Sequence, residues 1–156
     1  MGKLPSANKA LGQHFLTDKK TIEMITSDFA DQADVIIEVG PGPGVLTKDL
    51  AQKGLPLYLI EKDDRFIDDL KLLTPNVFNE DALDFNWDNL LTELEGKNIW
   101  LVSNLPYNGG TPLFLKFLQL PAIKFMTLMF QKEVGDRICA QKGTKAYGRL
   151  SVMTQW

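Results

Sequence analysis

The 156 residues contain a single cysteine, Cys139, and a single histidine, His14. One thiol excludes an internal disulfide and a multi-cysteine metal site, and one imidazole leaves no histidine cage or histidine-based triad. Long apolar runs are also missing. A bilayer span needs about 18 residues, whereas the longest runs here, residues 99–102 and 125–130, are of strand length. Residues 1–10 lack a hydrophobic signal core and are too short for an arginine-rich transit peptide. These absences predict a cytoplasmic protein with no membrane partner. There is no internal repeat and no low-complexity stretch.

Composition is that of an ordinary globular domain, with 44% hydrophobic and 24% charged residues. A net charge of -3 conceals a polarity along the chain. Residues 1–20 carry four lysines and one acid, residues 21–95 carry 5 basic and 17 acidic side chains, and residues 96–156 carry 8 basic and 2 acidic ones. A fold that brings the two ends together would set a basic face on an acidic body, which suits a polyanion. Random scatter over solvated faces accounts for the charge pattern about as well.

Strand and helix patterns alternate. Residues 17–29 place Ile22, Ile25 and Phe29 at helical spacing behind Thr17 or Asp18 as a cap. Residues 35–39, 57–60, 77–79, 99–102 and 125–131 have strand character, and 150–156 predicts the start of a sixth strand. Helices are expected over 45–53, 65–73, 87–94, 112–118 and 132–140. This alternation predicts an α/β, Rossmann-like, doubly wound, mostly parallel sheet, with its ligand at the carboxyl ends of the strands. The chain stops inside the expected sixth strand, which reads as a fragment with an incomplete C-terminal edge.

The first chemical motif, Glu38-Val-Gly40-Pro-Gly42-Pro-Gly44, follows the first strand directly. Glycines let the backbone turn sharply and approach a ligand closely. The dinucleotide fingerprint would need glycine at 45, where Val45 stands. A compact glycine turn behind an acid suits S-adenosylmethionine, which has no phosphate to cradle; a generic tight turn is the plain alternative. Glu61 ends the second strand, where a carboxylate can accept both ribose hydroxyls. Asp81, at the end of the third, can accept an adenine's amino hydrogens, with the amide of Ala82 facing the ring. Any one acid at a loop tip is usually just solvated, but three in register at strand ends are harder to assign to chance.

The sharpest motif is Asn104-Leu105-Pro106-Tyr107, after the fourth strand. Adenine's exocyclic nitrogen is a weak nucleophile because its lone pair is delocalised into the ring. The side-chain oxygen of Asn104 and the carbonyl of Leu105 or Pro106 can accept its hydrogens and free that pair. Pro106 stiffens the turn and brings no competing donor. Tyr107 offers a stacking surface for an extruded base, worth about 1–3 kcal/mol. The bland alternative is a simple strand-to-helix turn.

With these motifs in place the chain resembles the ribosomal RNA adenine dimethylases of the KsgA type, a family that includes the erythromycin-resistance methylases. The resemblance runs from Lys9 to Trp156 and includes Gly12-Gln-His14-Phe-Leu16, residues 38–47, Glu61, Asp81-Ala82, residues 104–108, residues 131–134 and residues 146–152. It implies a methyltransferase domain over residues 1–156, the helical C-terminal domain being absent. It further implies S-adenosylmethionine as cofactor and N6,N6-dimethylation of two adjacent adenines near the 3′ end of small-subunit (16S) rRNA, in the pre-ribosomal small subunit. By the same resemblance the cofactor contacts fall on His14, Leu16, Gly40, Gly42, Glu61, Asp81, Ala82 and Asn104, and Phe15 walls the target pocket. Lys3, Lys9, Lys19, Lys20, Arg137, Lys142, Lys145 and Arg149 are candidate phosphate contacts.

Two departures from the family matter. Gly109-Gly110 stands where Ile-Ser is usual, which predicts a looser loop beside the target site. The missing C-terminal part leaves the expected sixth strand unpaired, either frayed or exchanged in a strand-swapped dimer. Competing readings are a nicotinamide-dependent oxidoreductase, a non-catalytic RNA-binding assembly factor, and a large-subunit rRNA methylase of the resistance type. Val45 and the lack of a proton-relay residue weigh against the first, and the Gly12-Gln-His14 and Leu105-Pro-Tyr-Asn108 details favour the small-subunit type over the last.

Overall fold

The computed structural model describes residues 4–8, 15–106 and 109–155. Helix α1 (Lys19–Ser27) begins at Asp18, whose carboxylate accepts the Thr21 amide at 3.0 Å, so Asp18 and not Thr17 is the cap. There follow β1 (Val35–Val39), α2 (Thr47–Ala51), β2 (Leu57–Ile60), a 3₁₀ turn (Asp64–Phe66) running into α3 (Ile67–Leu70), β3 (Asn76–Phe78), α4 (Trp87–Glu93), β4 (Ile99–Asn104), α5 (Gly110–Leu118), β5 (Ile123–Met129), α6 (Lys132–Ile138) and α7 (Arg149–Gln155).

Among the described residues the strands form one sheet in the order β3-β2-β1-β4-β5, with every pairing parallel. Alternate side chains go to opposite faces. Val35, Ile37, Val39, Ile99 and Leu101 meet Trp87, Leu90, Leu113 and Phe117 of α4 and α5. Ile36, Trp100 and Val102 meet Ile25, Leu50, Phe66 and Leu70 on the α1–α3 side. Both faces are covered, which explains why β1, β2 and β4 are apolar over most of their length and do not alternate. Burying each large side chain contributes roughly 1.5–3 kcal/mol.

The doubly wound parallel sheet matches the expectation from sequence, with shifts at element ends. β4 continues to Asn104 and β5 starts at Ile123, because the parallel ladder pairs Ile99 with Ile123 and Asn104 with Met129. The helix expected over 65–73 divides into a 3₁₀ turn and one short α-helix.

The expected sixth strand is a helix. Residues 149–155 form α7, and Trp156 lies outside the described residues. Leu150, Ser151 and Thr154 recur at helical spacing on the side facing α6. The Ser151 hydroxyl donates to the Arg137 carbonyl and accepts the Gly148 amide at 3.2 Å. Gln155 Nε2 donates to the carbonyls of Ile138 (2.8 Å) and Ala140 (2.9 Å), closing the end of α6. These local bonds need no partner strand, so the segment closes on α6 as a helix. A strand-swapped dimer therefore loses its premise over residues 149–155.

Ser151→Ala should remove the side-chain bond between α7 and α6 and leave the Arg137 carbonyl without it, at a cost of about 1 kcal/mol. Amide exchange over 149–155 should accelerate with little change in the sheet; unchanged protection of that segment would show that Ser151 does not hold it.

Candidate active site

Each strand delivers its last residue to the same edge of the sheet. The ladder runs on past the strands themselves: the Gly40 amide donates to the Ile60 carbonyl at 2.8 Å and the Glu61 amide to the Phe78 carbonyl at 2.9 Å. Asn79 Nδ2 donates to the Glu61 carbonyl at 3.0 Å, tying the β3 loop to the end of β2. Trp87 Nε1 donates to the Ala82 carbonyl at 2.9 Å and anchors the Asp81–Ala82 turn in the core. One cleft results, lined by the glycine turn, by Glu61, by Asp81 and Ala82, and by Asn104 and Pro106.

The glycine turn depends on its glycines. Gly40, Gly42 and Gly44 have φ of +70°, +55° and +86°, a region costly for residues bearing a Cβ. A Cβ on Gly42 would stand 3.6 Å from Phe15 Cε1, so Phe15 packs directly on the turn. Glu61, 5% exposed, accepts the Gly42 amide on Oε2 at 2.7 Å and the Asp63 amide on Oε1 at 2.8 Å. Its carboxylate is fixed from both sides, and each oxygen retains acceptor capacity toward the cleft. Asp81 accepts the Leu83 amide at 3.0 Å on Oδ1 while Oδ2 lies 3.9 Å from Lys62 Nζ. Ser103, wholly buried, donates to the Val39 carbonyl at 2.8 Å and locks β4 to β1 one residue before Asn104.

A family model described as ribosomal RNA adenine dimethylase matches residues 5–156. The chain belongs to the ribosomal RNA adenine dimethylase family. The family's ribosomal RNA small subunit methyltransferase A of Phenylobacterium zucineum is 46% identical over 157 residues, 96% of this chain and 54% of that protein. A dimethyladenosine transferase from Plasmodium falciparum superposes with a TM-score of 0.72 at 26% identity, over 91% of this chain and 52% of its own. The 23S rRNA methyltransferase ErmE superposes with a TM-score of 0.67 at 30% identity, over 90% and 55%. The fold is that of the class I S-adenosylmethionine-dependent methyltransferases, and the chain spans about half the length of the curated relatives it matches.

Of the residues expected at the site of this family member, Leu16, Gly40, Gly42, Glu61, Asp81, Ala82, Asn104 and Pro106 line the one cleft. His14 and Tyr107 lie outside the described residues. Leu105 does not line the cleft: its side chain is buried in the α4/α5 core and its amide donates to the Met129 carbonyl at 3.2 Å. Phe15 lines the cleft on the glycine-turn side, against Phe66 with ring centroids 6.0 Å apart. Gly109 has φ +82° and Gly110 begins α5, where an added Cβ would touch Leu105 Cβ at 3.5 Å. A serine fits at 110, but a β-branched residue at 109 would require a different loop path. Of the candidate phosphate contacts, Lys19, Lys20, Lys142, Lys145 and Arg149 are exposed, while Arg137 is engaged with Glu133 at 2.7 Å. Lys3 and Lys9 lie outside the described residues.

The sequence pattern alone assigned no role to the side chain of Glu38. It is 2% exposed, lines the cleft and accepts the Thr47 hydroxyl on Oε2 at 2.6 Å. Burial pushes its carboxyl up to about 8, with the Thr47 bond pulling the other way and the Glu61 charge adding to the rise. Burial likewise raises Glu61 from its ordinary value, against hydrogen bonds from the Asp63, Gly42 and Lys62 amides.

An acid raised from its ordinary value of 4.5 to about 8 binds more protons folded than unfolded between those values. Stability should therefore fall as pH rises through that window, because deprotonating the folded state costs more than deprotonating the unfolded one. Glu38→Gln should flatten the decline in Tm between about pH 5 and pH 8 relative to the parent. A Glu38→Gln profile parallel to the parent's would assign the effect to other groups.

Proposed function

We propose that this chain is the catalytic domain of an S-adenosylmethionine-dependent rRNA adenine-N6 dimethyltransferase that modifies two adjacent adenines near the 3′ end of small-subunit rRNA. The observation that carries this reading is the shared cleft, in which the glycine turn, Glu61 and Asp81-Ala82 stand beside Asn104 and Pro106. Small-subunit methyltransferases at 40–46% identity favour the small-subunit substrate over the large-subunit one named for ErmE at 30%.

The lining fits the cofactor. Positive-φ glycines leave a Cβ-free wall, Glu61 presents fixed carboxylate oxygens for a ribose diol, and Val39, Ala82 and Leu83 supply apolar walls for a purine. Asp81 adds an acceptor at the same end as Ala82. When bound, S-adenosylmethionine supplies the methyl group, carried on a positively charged sulfur.

The chain's own residues hold the acceptor base. Asn104 ends β4 under the Ser103–Val39 bond, so its amide is placed by the sheet and not by a loop. Its side-chain oxygen and the carbonyl of Pro106 accept the two hydrogens of the adenine amine and free the nitrogen lone pair for attack. Neither group titrates, so the clamp works by hydrogen-bond acceptance and positioning, and the proton that leaves the methylated nitrogen, now acidic, passes to water. Exposed Lys19, Lys20, Lys142, Lys145 and Arg149 supply positive charge for the rRNA backbone.

Calorimetric titration should show S-adenosylmethionine binding and no NAD binding. Labelled methyl groups should pass to small-subunit particles that lack the modification. Asn104→Ala should lower kcat by about a hundredfold or more, the scale seen when one preorganised polar contact is removed, while shifting cofactor Kd less than about tenfold. Undiminished turnover in that variant would remove Asn104 from the mechanism.

A further inference from the structure

Next to the cleft lies a charged network that the reaction as described does not use. Asp63 is a buried carboxylate, 7% exposed, two residues after Glu61. Arg65 grips it with a fork: Nε lies 3.0 Å from Oδ1 and Nη2 lies 2.8 Å from Oδ2. The same guanidinium donates through Nη1 to the Ser6 carbonyl at 3.2 Å and sits 5.1 Å from the centre of the Phe66 ring. The Asp63 amide is one of the donors that fix Glu61.

We propose that Arg65 is a positioning residue for cofactor binding: by clamping Asp63 it fixes the loop that orients Glu61 and offsets the negative charge that Asp63 sets beside it. This rests on the reading of Glu61 as the ribose carboxylate.

Asp63 on its own loop sets negative charge beside Glu61, while Glu38 on β1 and Asp81 beyond β3 line the same cleft. Lys62 lies 3.9 Å from Asp81, so its charge is directed there. Asp63 raises Glu61 further by direct repulsion, over and above burial. Arg65 stands against the carboxylate responsible. Without it, Asp63 loses the charged fork that holds both of its oxygens, a strongly unfavourable change for a buried carboxylate. Glu61 then holds its proton to higher pH, and a protonated carboxyl loses acceptor capacity for two hydroxyls. The fork also sets the Asp63 main chain, because the Arg65 amide donates to Asp63 Oδ1 at 3.1 Å and closes the turn. Loss of the guanidinium therefore acts on both the position and the charge of Glu61 while touching no ligand atom.

The test is S-adenosylmethionine Kd by calorimetry from pH 5.5 to 8.5 in the parent, Arg65→Gln, Asp63→Asn and the double variant. Arg65→Gln should weaken binding about tenfold at the acid end of that range, with the loss narrowing as pH rises, so that the pH profile moves to higher pH. The double variant should regain most of the parental profile, because Asp63→Asn removes the charge that Arg65 offsets. A purely structural role predicts instead a pH-independent loss and no rescue, and either of those outcomes overturns the proposal. Should Arg65→Gln fail to fold, Arg65→Lys, which keeps the charge and loses the fork, should move the profile in the same direction by less; a parental profile there overturns the proposal. A folded parent that binds no S-adenosylmethionine overturns the site reading itself, which distinguishes that failure from parallel profiles in a binding parent.

Discussion

Parallel register around β1 is the constraint from which the rest of the structure follows. β1 pairs with β2 on one side and β4 on the other, and the ladders continue through Gly40 to Ile60 and Glu61 to Phe78. Val39 therefore stands opposite both Ile60 and Ser103, so the glycine turn, Glu61 and Asn104 emerge at one level. No side chain of the cleft has to reach far. A slip of one residue in β1 would exchange the faces of Ile36 and Ile37 and move Glu38 from its Thr47 contact to the opposite core. The hydrophobic pattern that forbids the slip also sets the spacing of the site.

The charge polarity of the chain acquires a structural meaning in this arrangement. Acidic residues 21–95 build the wall of the cleft that holds Glu38, Glu61, Glu80 and Asp81. The basic residues 96–156 contribute Asn104 and Pro106 with exposed Lys142, Lys145 and Arg149 elsewhere on their surface. Under the proposed function a positively charged cofactor and a polyanionic RNA require opposite fields, and the two halves of the chain differ in charge in that sense. Burying three carboxylates together is costly. It is sustained because each has a fixed donor: Thr47 on Glu38, the amides of Gly42 and Asp63 on Glu61, and Arg65 on Asp63.

The elements legible in the sequence were those whose periodicity and punctuation agreed. β1 and β2 fall at the expected residues because β-branched or apolar runs are bounded by Gly and Pro. That Gly40, Glu61, Asp81 and Asn104 would share one cleft was legible because residues at or just past strand ends are placed by the sheet regardless of the helices between them. The C-terminal segment misled because Leu150, Val152 and Thr154 alternate as a strand would, while Leu150, Ser151 and Thr154 also share a helical face; only packing on α6 decides. Arg65 was invisible for a different reason. Its role comes from a 3₁₀ turn that folds residue 65 back onto residue 63, and neither hydrophobic period marks such a turn.

Leu105 shows how the fold divides labour within a short motif. Its amide extends the ladder onto Met129 and its side chain fills the core, so it is in effect the last residue of the sheet. Pro106 is the next residue to line the cleft, and having no amide hydrogen it brings no donor to a place where acceptors are needed. In the proposed reaction a residue with an N–H there would offer the target amine's nitrogen a hydrogen bond and tie up the lone pair that attacks. The leucine anchors and the proline lines the cleft, so the proposed pairing of Asn104 and Pro106 as acceptors builds on where the sheet ends.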